Sequence, residues 1–166
     1  PTNHQGVMLQ GFYWNSYDAS NWKKLETQAN ELSQYFNLIW IPQSGNCGGE
    51  SMGYDDLYWF DNYKSAFGSE EELRSMISTF KQKGLGTIAD VVINHRKTLT
   101  SWVDFPKETY KGVTYQLLST DICKDDCGGK TATWAKENGY NLSENYDTGE
   151  GVDFARDLDH NSSNVQ

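Results

Sequence analysis

The segment Thr87–Arg96, Thr-Ile-Ala-Asp-Val-Val-Ile-Asn-His-Arg, constrains the fold more than any other. Ile88, Ala89, Val91, Val92 and Ile93 form a nearly unbroken apolar run rich in β-branched residues, which predicts a strand covered on both faces, as in a parallel sheet. Asp90 interrupts it, and a carboxylate inside a buried strand is costly unless a cation or a donor meets it. The run ends in Asn94, His95 and Arg96. Polar side chains at the C-terminal end of such a strand stand where α/β barrels and open α/β sheets put their chemistry.

The residues before this segment alternate between the two periods. Gly6–Phe12 predicts a first strand, followed by the aromatic cluster Phe12-Tyr13-Trp14. Trp22, Leu25, Ala29, Leu32 and Phe36 fall three and four apart and describe one face of a helix. Leu38–Ile41 is a second short buried strand, stopped by Pro42. Ser69 with Glu72 is a capping box, and Leu73, Met76, Ile77 and Phe80 give the stripe of the helix it opens; Gly84 stops it. Three strands alternating with two helices imply parallel strands joined by right-handed crossovers. Gln43–Gly68, with five glycines and six aromatic residues, is too long for a bare connector and reads as a functional loop. Lys97–Gln166 shows no sustained helical face and reads as an irregular excursion with short β segments, its acids grouped as Asp121, Asp125 and Asp126, then Asp147, Asp153, Asp157 and Asp159.

A formal charge of −9 argues against nucleic acid and anionic membrane as partners and leaves carboxylates available for hard cations. Six Trp and ten Tyr exceed what the helix and strand stripes absorb, and flat rings suit sugar faces. No apolar run has the length of a membrane span. Pro1-Thr2-Asn3-His4 is a polar start with no signal peptide, as in a processed or trimmed chain. Cys123 and Cys127 are close enough in one loop to bridge, which points to an exported protein, secreted or periplasmic. Their spacing does not match a zinc site, because two further ligands at the usual offsets are missing.

Asp90-Val-Val-Ile-Asn94-His95 resembles the first signature block of the α-amylase family of glycoside hydrolases, which sits on barrel strand three. Gly11–Trp14, Gly53-Tyr54, Leu57-Tyr58, Asp157–His160 and Val165-Gln166 are most similar to the plant-type branch and its bacterial relatives. The resemblance implies a partial (β/α)8 TIM barrel: residues 1–96 as its first three β/α elements, 97–160 as the inserted irregular domain B, and 161–166 returning towards the barrel. It implies endo-hydrolysis of α-1,4-glucosidic bonds in starch and malto-oligosaccharides with retention, and calcium as cofactor. His95 would hydrogen-bond the sugar at the cleavage point, Tyr54 would stack on that ring, and Trp14 would line the neighbouring cleft. Asn94 and Asp157 would ligate a calcium ion, with Asp147, Asp153 and Asp125 or Asp126 as further calcium-binding positions. Independently, calcium wants six to eight oxygens from carboxylates, amides and carbonyls, which an Asn facing an Asp-rich loop supplies.

The family cleaves with a nucleophile and a general acid on later strands, so no catalytic residue is assigned here and both are expected beyond Gln166. The stretch 151–157 echoes the nucleophile block, but Arg156 and Asp157 are adjacent where the family has one residue between. The reading is therefore an amylase fragment, inactive alone. Its open barrel edge would be covered by the rest of the polypeptide or by an oligomer. The rival is a non-catalytic, calcium-dependent glucan-binding protein that reuses the half-fold.

Overall fold

The computed structural model describes residues 5–149 and 152–166; the polar start Pro1–His4 and residue 151 lie outside them. The chain divides into two compact units, the first running to Tyr54 and resuming over Asn62–Val91, the second comprising Asp55–Asp61 and Val92–Gln166. Among the described residues, no helix is long and apolar enough to cross a membrane.

The first unit is built on three parallel strands, β1 (Met8–Gln10), β2 (Leu38–Trp40) and β3 (Gly86–Ile88), in that spatial order. Leu9 pairs with Ile39, and Ile39 with Thr87, so the central strand is β2 and Ile39 is fully buried. The crossovers are helical. The stripe from Trp22 to Phe36 forms two short helices rather than one, α1 (Trp22–Thr27) and α2 (Ala29–Tyr35). The break has a local cause: the Thr27 hydroxyl donates to the Lys24 carbonyl at 2.7 Å, competing with the helical ladder just before Gln28. Both pieces still present the same apolar face to one core.

Helix α3 (Glu70–Gln82) follows its sequence signals closely. Ser69 Oγ accepts from the Glu72 N–H and the Glu72 carboxylate accepts from the Ser69 N–H, a reciprocal capping box. Gly84, at φ +75°, takes the left-handed conformation that ends the helix. Leu73, Met76 and Phe80 meet Trp22, Leu25, Ile39 and Phe67 in an apolar core.

The Thr87–Arg96 segment departs from expectation. Only its beginning enters the ladder, and Val91 and Ile93 are 71% and 59% exposed rather than covered on both faces. Among the described residues β3 has a hydrogen-bonded neighbour on one side only, so the apolar run beyond Ile88 has no second sheet face to join.

In the second unit, β4 (His95–Arg96) pairs antiparallel with β7 (Arg156–Asp157), so His95 and Arg96 lie past the division rather than at the end of the first unit. β5 (Glu108–Tyr110) and β6 (Val113–Tyr115) form a hairpin. Helix α4 (Lys130–Glu137) carries no periodic signature: it is two turns long and buries only Thr131 and Ala135, too little for an apolar stripe. Val103, Phe105, Leu117, Ile122, Leu142 and Leu158 supply a small core.

Much of this unit is held by buried charge. Arg96 Nη2 lies 2.6 Å from Glu108 Oε2, both groups almost wholly enclosed, and the guanidinium also donates to the Leu57 carbonyl and stacks 4.6 Å over the Trp59 ring. Glu108 accepts the backbone N–H groups of Trp59, Phe60 and Asp61, which ties the 55–61 segment to this unit. Arg156 Nη1 sits 3.0 Å from Asp126 Oδ2, and Thr131 Oγ1 touches both. The proposed bridge between Cys123 and Cys127 is not made; all three cysteines are thiols. Cys123 is buried, whereas the Cys127 thiol turns outward to donate to Asp153 Oδ1 at 3.5 Å.

Candidate functional site

The first unit carries an aromatic platform at the strand ends. The rings of Trp14 and Tyr54 are parallel within 4°, their centroids 6.1 Å apart, and Trp14 is 68% exposed. Local backbone chemistry sets both. Asn15, at φ +62°, turns the chain after Trp14 and donates its N–H to Met52 Sδ. Gly53, at φ +104°, packs so closely that a Cβ there would lie 2.3 Å from Gln43 Cβ, so only glycine delivers Tyr54 to this place.

Asp90 is half-buried, and it is met by two donors. Trp40 Nε1 donates to its Oδ2 at 3.2 Å and the Tyr54 hydroxyl at 3.4 Å. Burial, and then the Asp90 charge and hydrogen bond, push the Tyr54 phenol above its usual pKa, so it stays a neutral donor. Two flat rings, one of them carrying a phenol that is hydrogen-bonded to a carboxylate, can stack on a neutral ring and hydrogen-bond its hydroxyls.

His95 belongs to the second unit. Its Nδ1 is 3.2 Å from Asn94 Nδ2, and its ring meets Phe154 edge-on at 5.9 Å. Cross-strand partners share a face of an antiparallel pair. His95 and its partner Asp157 accordingly line one open concavity of about 920 Å³, together with Asn94, Asp147, Asp153 and Cys127. Arg96 and its partner Arg156 occupy the other face, where each is neutralised by its own buried acid.

Four of the six acid and amide residues read as metal positions are therefore brought to one cavity, and two are not. Asp126 is spent: Arg156 and Thr131 hold one oxygen and the Asp157 N–H donates to the other at 2.8 Å. Asp125 is engaged with the backbone of the acidic loop, accepting the Asp147 N–H at 2.9 Å. Cys123, which sequence reasoning set aside, enters the group: its sulfur and carboxylate oxygens of Asp147 and Asp157 all lie within 4.8 Å of one another. Burial pushes the Asp157 carboxyl up, the Cys123 thiol opposes this by donating to it, and Asp147, Asp126 and Asp125 push it further. The Cys123 thiol is raised as well, by burial first and then by Asp157. Crowded acids in this state are what a divalent cation relieves.

Asp159 anchors the surrounding loops, accepting from Ser143 Oγ, Asn145 Nδ2 and the Asn161 N–H. Asp121 does the same for the end of the sequence through Ser162 and Asn164. The signal for these roles was faint: Asp159 is followed directly by His160, Asn161 and Ser162, a pattern that ordinary turns share, and Asp121 has no such neighbours, its partners Ser162 and Asn164 lying far along the chain.

Residues 15–121 match the family described as alpha amylase, catalytic domain. A probable alpha-amylase 2 of Arabidopsis thaliana is 31% identical over 110 residues, covering 65% of this chain and 26% of the relative. A glucan 1,4-alpha-maltohexaosidase of Bacillus sp. (strain 707) is 28% identical over 102 residues, 55% of this chain and 20% of the relative. Among solved structures, wild-type alpha-amylase I from Eisenia fetida superposes with a TM-score of 0.56 at 18% identity, covering 96% of this chain and 33% of that one. The chain thus spans about a quarter of the length of the curated relatives named here. The structural likeness speaks for the fold alone, that of part of a (β/α)8 barrel. With more than half its residues matched to the catalytic domain, the chain belongs to the α-amylase family of glycoside hydrolases.

Proposed function

We propose that this chain is part of a retaining, endo-acting hydrolase of α-1,4-glucans such as starch, and that it supplies sugar contacts and a calcium site but not the catalytic pair. The observation that carries the reading is the Trp14–Tyr54 platform, parallel within 4° and standing over Asp90 on the strand ends. Tyr54 stacks on a sugar ring and Trp14 extends that surface, while His95, in the second unit, is assigned a hydrogen bond to a sugar hydroxyl. None of the 166 residues matches the family's nucleophile or acid block, so the two carboxylates that open the glycosidic bond are assigned to residues not included here.

The residues of the cavity fit a hard cation. Asn94 offers an amide oxygen and Asp147 and Asp157 offer carboxylates, with Asp153 at the rim. Bound calcium would supply a cross-link between the 94–96 segment and the acidic loop and neutralise the repulsion at Asp157. The second unit is on this reading the family's domain B, and the exposed apolar residues at the two outer strands, Val7 and Met8 at β1 and Val91 after β3, are covered by the remainder of the polypeptide or by an oligomer.

Two experiments test this. In the complete protein, Tyr54→Ala and His95→Ala each lower kcat on starch and not only raise KM, because each is assigned a sugar contact that strengthens in the transition state; unchanged turnover in both variants rejects the assignment. Limited proteolysis of the second unit accelerates when a chelator removes calcium, and an identical cleavage pattern rejects the ion. Starch binding by the complete protein without turnover would instead select the non-catalytic glucan-binding reading.

A further inference from the structure

Arg96 is 2% exposed, yet one of its three nitrogens is left over. Nε and Nη2 donate to the Leu57 carbonyl and Nη2 also to Glu108, whereas Nη1 has no hydrogen-bond partner among the described residues. A buried guanidinium nitrogen without an acceptor is costly. Arg96 is a buried member of the lining of a cavity of about 330 Å³ that lies wholly within the second unit. That volume is at the small end of the roughly 300–1,000 Å³ usual for ligand pockets. The rings of Phe60 and Tyr115, their centroids 4.7 Å apart, line it as well, and Tyr115 is 40% exposed.

The amides of the lining share a bias. Gln116 donates its side-chain N–H to the Phe105 carbonyl at 3.2 Å, Asn164 to Asp121 Oδ2 at 2.6 Å and Gln166 to the His160 carbonyl at 2.9 Å. Their side-chain oxygens receive no donor among the described residues and are left as acceptors. One free donor and three free acceptors beside flat rings match a neutral molecule with several hydroxyls, because each hydroxyl both accepts and donates. Charge excludes the alternatives. An anion drawn to Arg96 would meet Glu108, 2.6 Å from the same guanidinium, and Asp56 and Asp61, which also act on it. A cation would find no carboxylate side chain among the described residues of the lining.

We propose that this cavity is a second glucan site, which takes one glucosyl unit of an α-glucan chain. Tyr115 packs on the apolar face of the sugar, Arg96 Nη1 donates to a hydroxyl oxygen, and the amide oxygens of Gln116 and Asn164 accept from hydroxyls of the same unit. The inference rests on the reading of the protein as a glucan hydrolase and adds a place that holds substrate without cleaving it. Glu108 is here a positioning residue. Its carboxylate and the Leu57 carbonyl fix two of the guanidinium nitrogens, so the third is presented in one orientation and binding loses no rotamer freedom there.

Hydrogen–deuterium exchange of the complete protein, with and without maltose, reads this cavity and the Trp14–Tyr54 platform in one measurement. Maltose slows exchange over 113–117 and 163–166. Tyr115→Ala raises the maltose concentration needed for that protection by about tenfold, and Gln116→Ala raises it by a smaller factor. Both positions are exposed, so neither change threatens the fold. Trp14→Ala leaves the protection of 113–117 in place. Protection around Trp14 and Tyr54 alone overturns the second site and leaves the glucan reading standing, whereas protection at neither place overturns both. Protection of 113–117 that neither Tyr115→Ala nor Gln116→Ala weakens overturns the assignment of the residues. Segment 113–117 protected to the same extent before maltose is added shows the cavity to be filled by the protein's own chain, and overturns the site.

Discussion

Phe80 and Glu108 are buried to the same degree, in different units and among different neighbours. Phe80 sits among Trp22, Leu73, Met76 and Leu85, where each contact is apolar and exchangeable. Glu108 sits under one guanidinium and three backbone N–H groups, where each contact is directional and none is exchangeable singly. Removing area from water stabilises the first unit; matching donors to acceptors specifies the second. A core of hydrocarbon tolerates drift in its members, whereas a buried ion network fails at any one of them.

The largest effects should come from the two buried groups themselves. Phe80→Ala costs the first unit about 3–5 kcal/mol through lost transfer energy and a cavity. Glu108→Ala costs the second unit a similar 3–5 kcal/mol or so, by stranding Arg96. The contrast lies in rescue. Replacing Arg96 and Glu108 together by Met and Leu recovers most of the loss, because the stranded charge goes with its partner. Hydrogen exchange resolved by unit measures all three variants; a double variant no better than Glu108→Ala would show that Glu108 acts through its backbone donors instead.

A smaller effect separates the units by acid. Burial works against the Asp159 charge, but the donors of Ser143, Asn145 and Asn161 prevail and hold its carboxyl below the usual carboxylate pKa. A depressed folded pKa gives stability that is present above the unfolded value and lost as pH falls through the folded one. Thermal melts of Asp159→Asn across the acid range should show that part of the pH dependence flattened in the second unit and the first unit unaffected. The smallest effect is Ser69→Ala, which removes half of the α3 capping box and costs the first unit about 1 kcal/mol. An effect of Ser69→Ala on exchange in the second unit would break the division between them.

What could be read from the sequence follows the same line. β1, β2 and α3 were legible because an apolar stripe and a capping box are local patterns, and local patterns carry their own period. The Thr87–Arg96 run was misjudged because periodicity reports which side chains are apolar and not how many strands flank them. The second unit was nearly opaque. A buried Arg–Glu pair such as Arg96 and Glu108 has no periodic signature, and α4 buries a Thr and an Ala. Among the acids, Asp147, Asp153 and Asp157 do share one cavity with Asn94, but Asp126 looks the same in sequence and serves Arg156 instead. The partner decides the role, and the partner is distant in the chain.

Arg156 and Asp157 are neighbours in a strand whose successive side chains point to opposite sides, the cation inward to Asp126 and the acid outward to the cavity. The segment is therefore locked in parity. Inserting or deleting one residue between Val152 and Arg156, a change most loops absorb, would turn a guanidinium into the acidic cavity and set a carboxylate against Asp126. Length variation among relatives of this chain should accordingly come in twos at this place, or be absent.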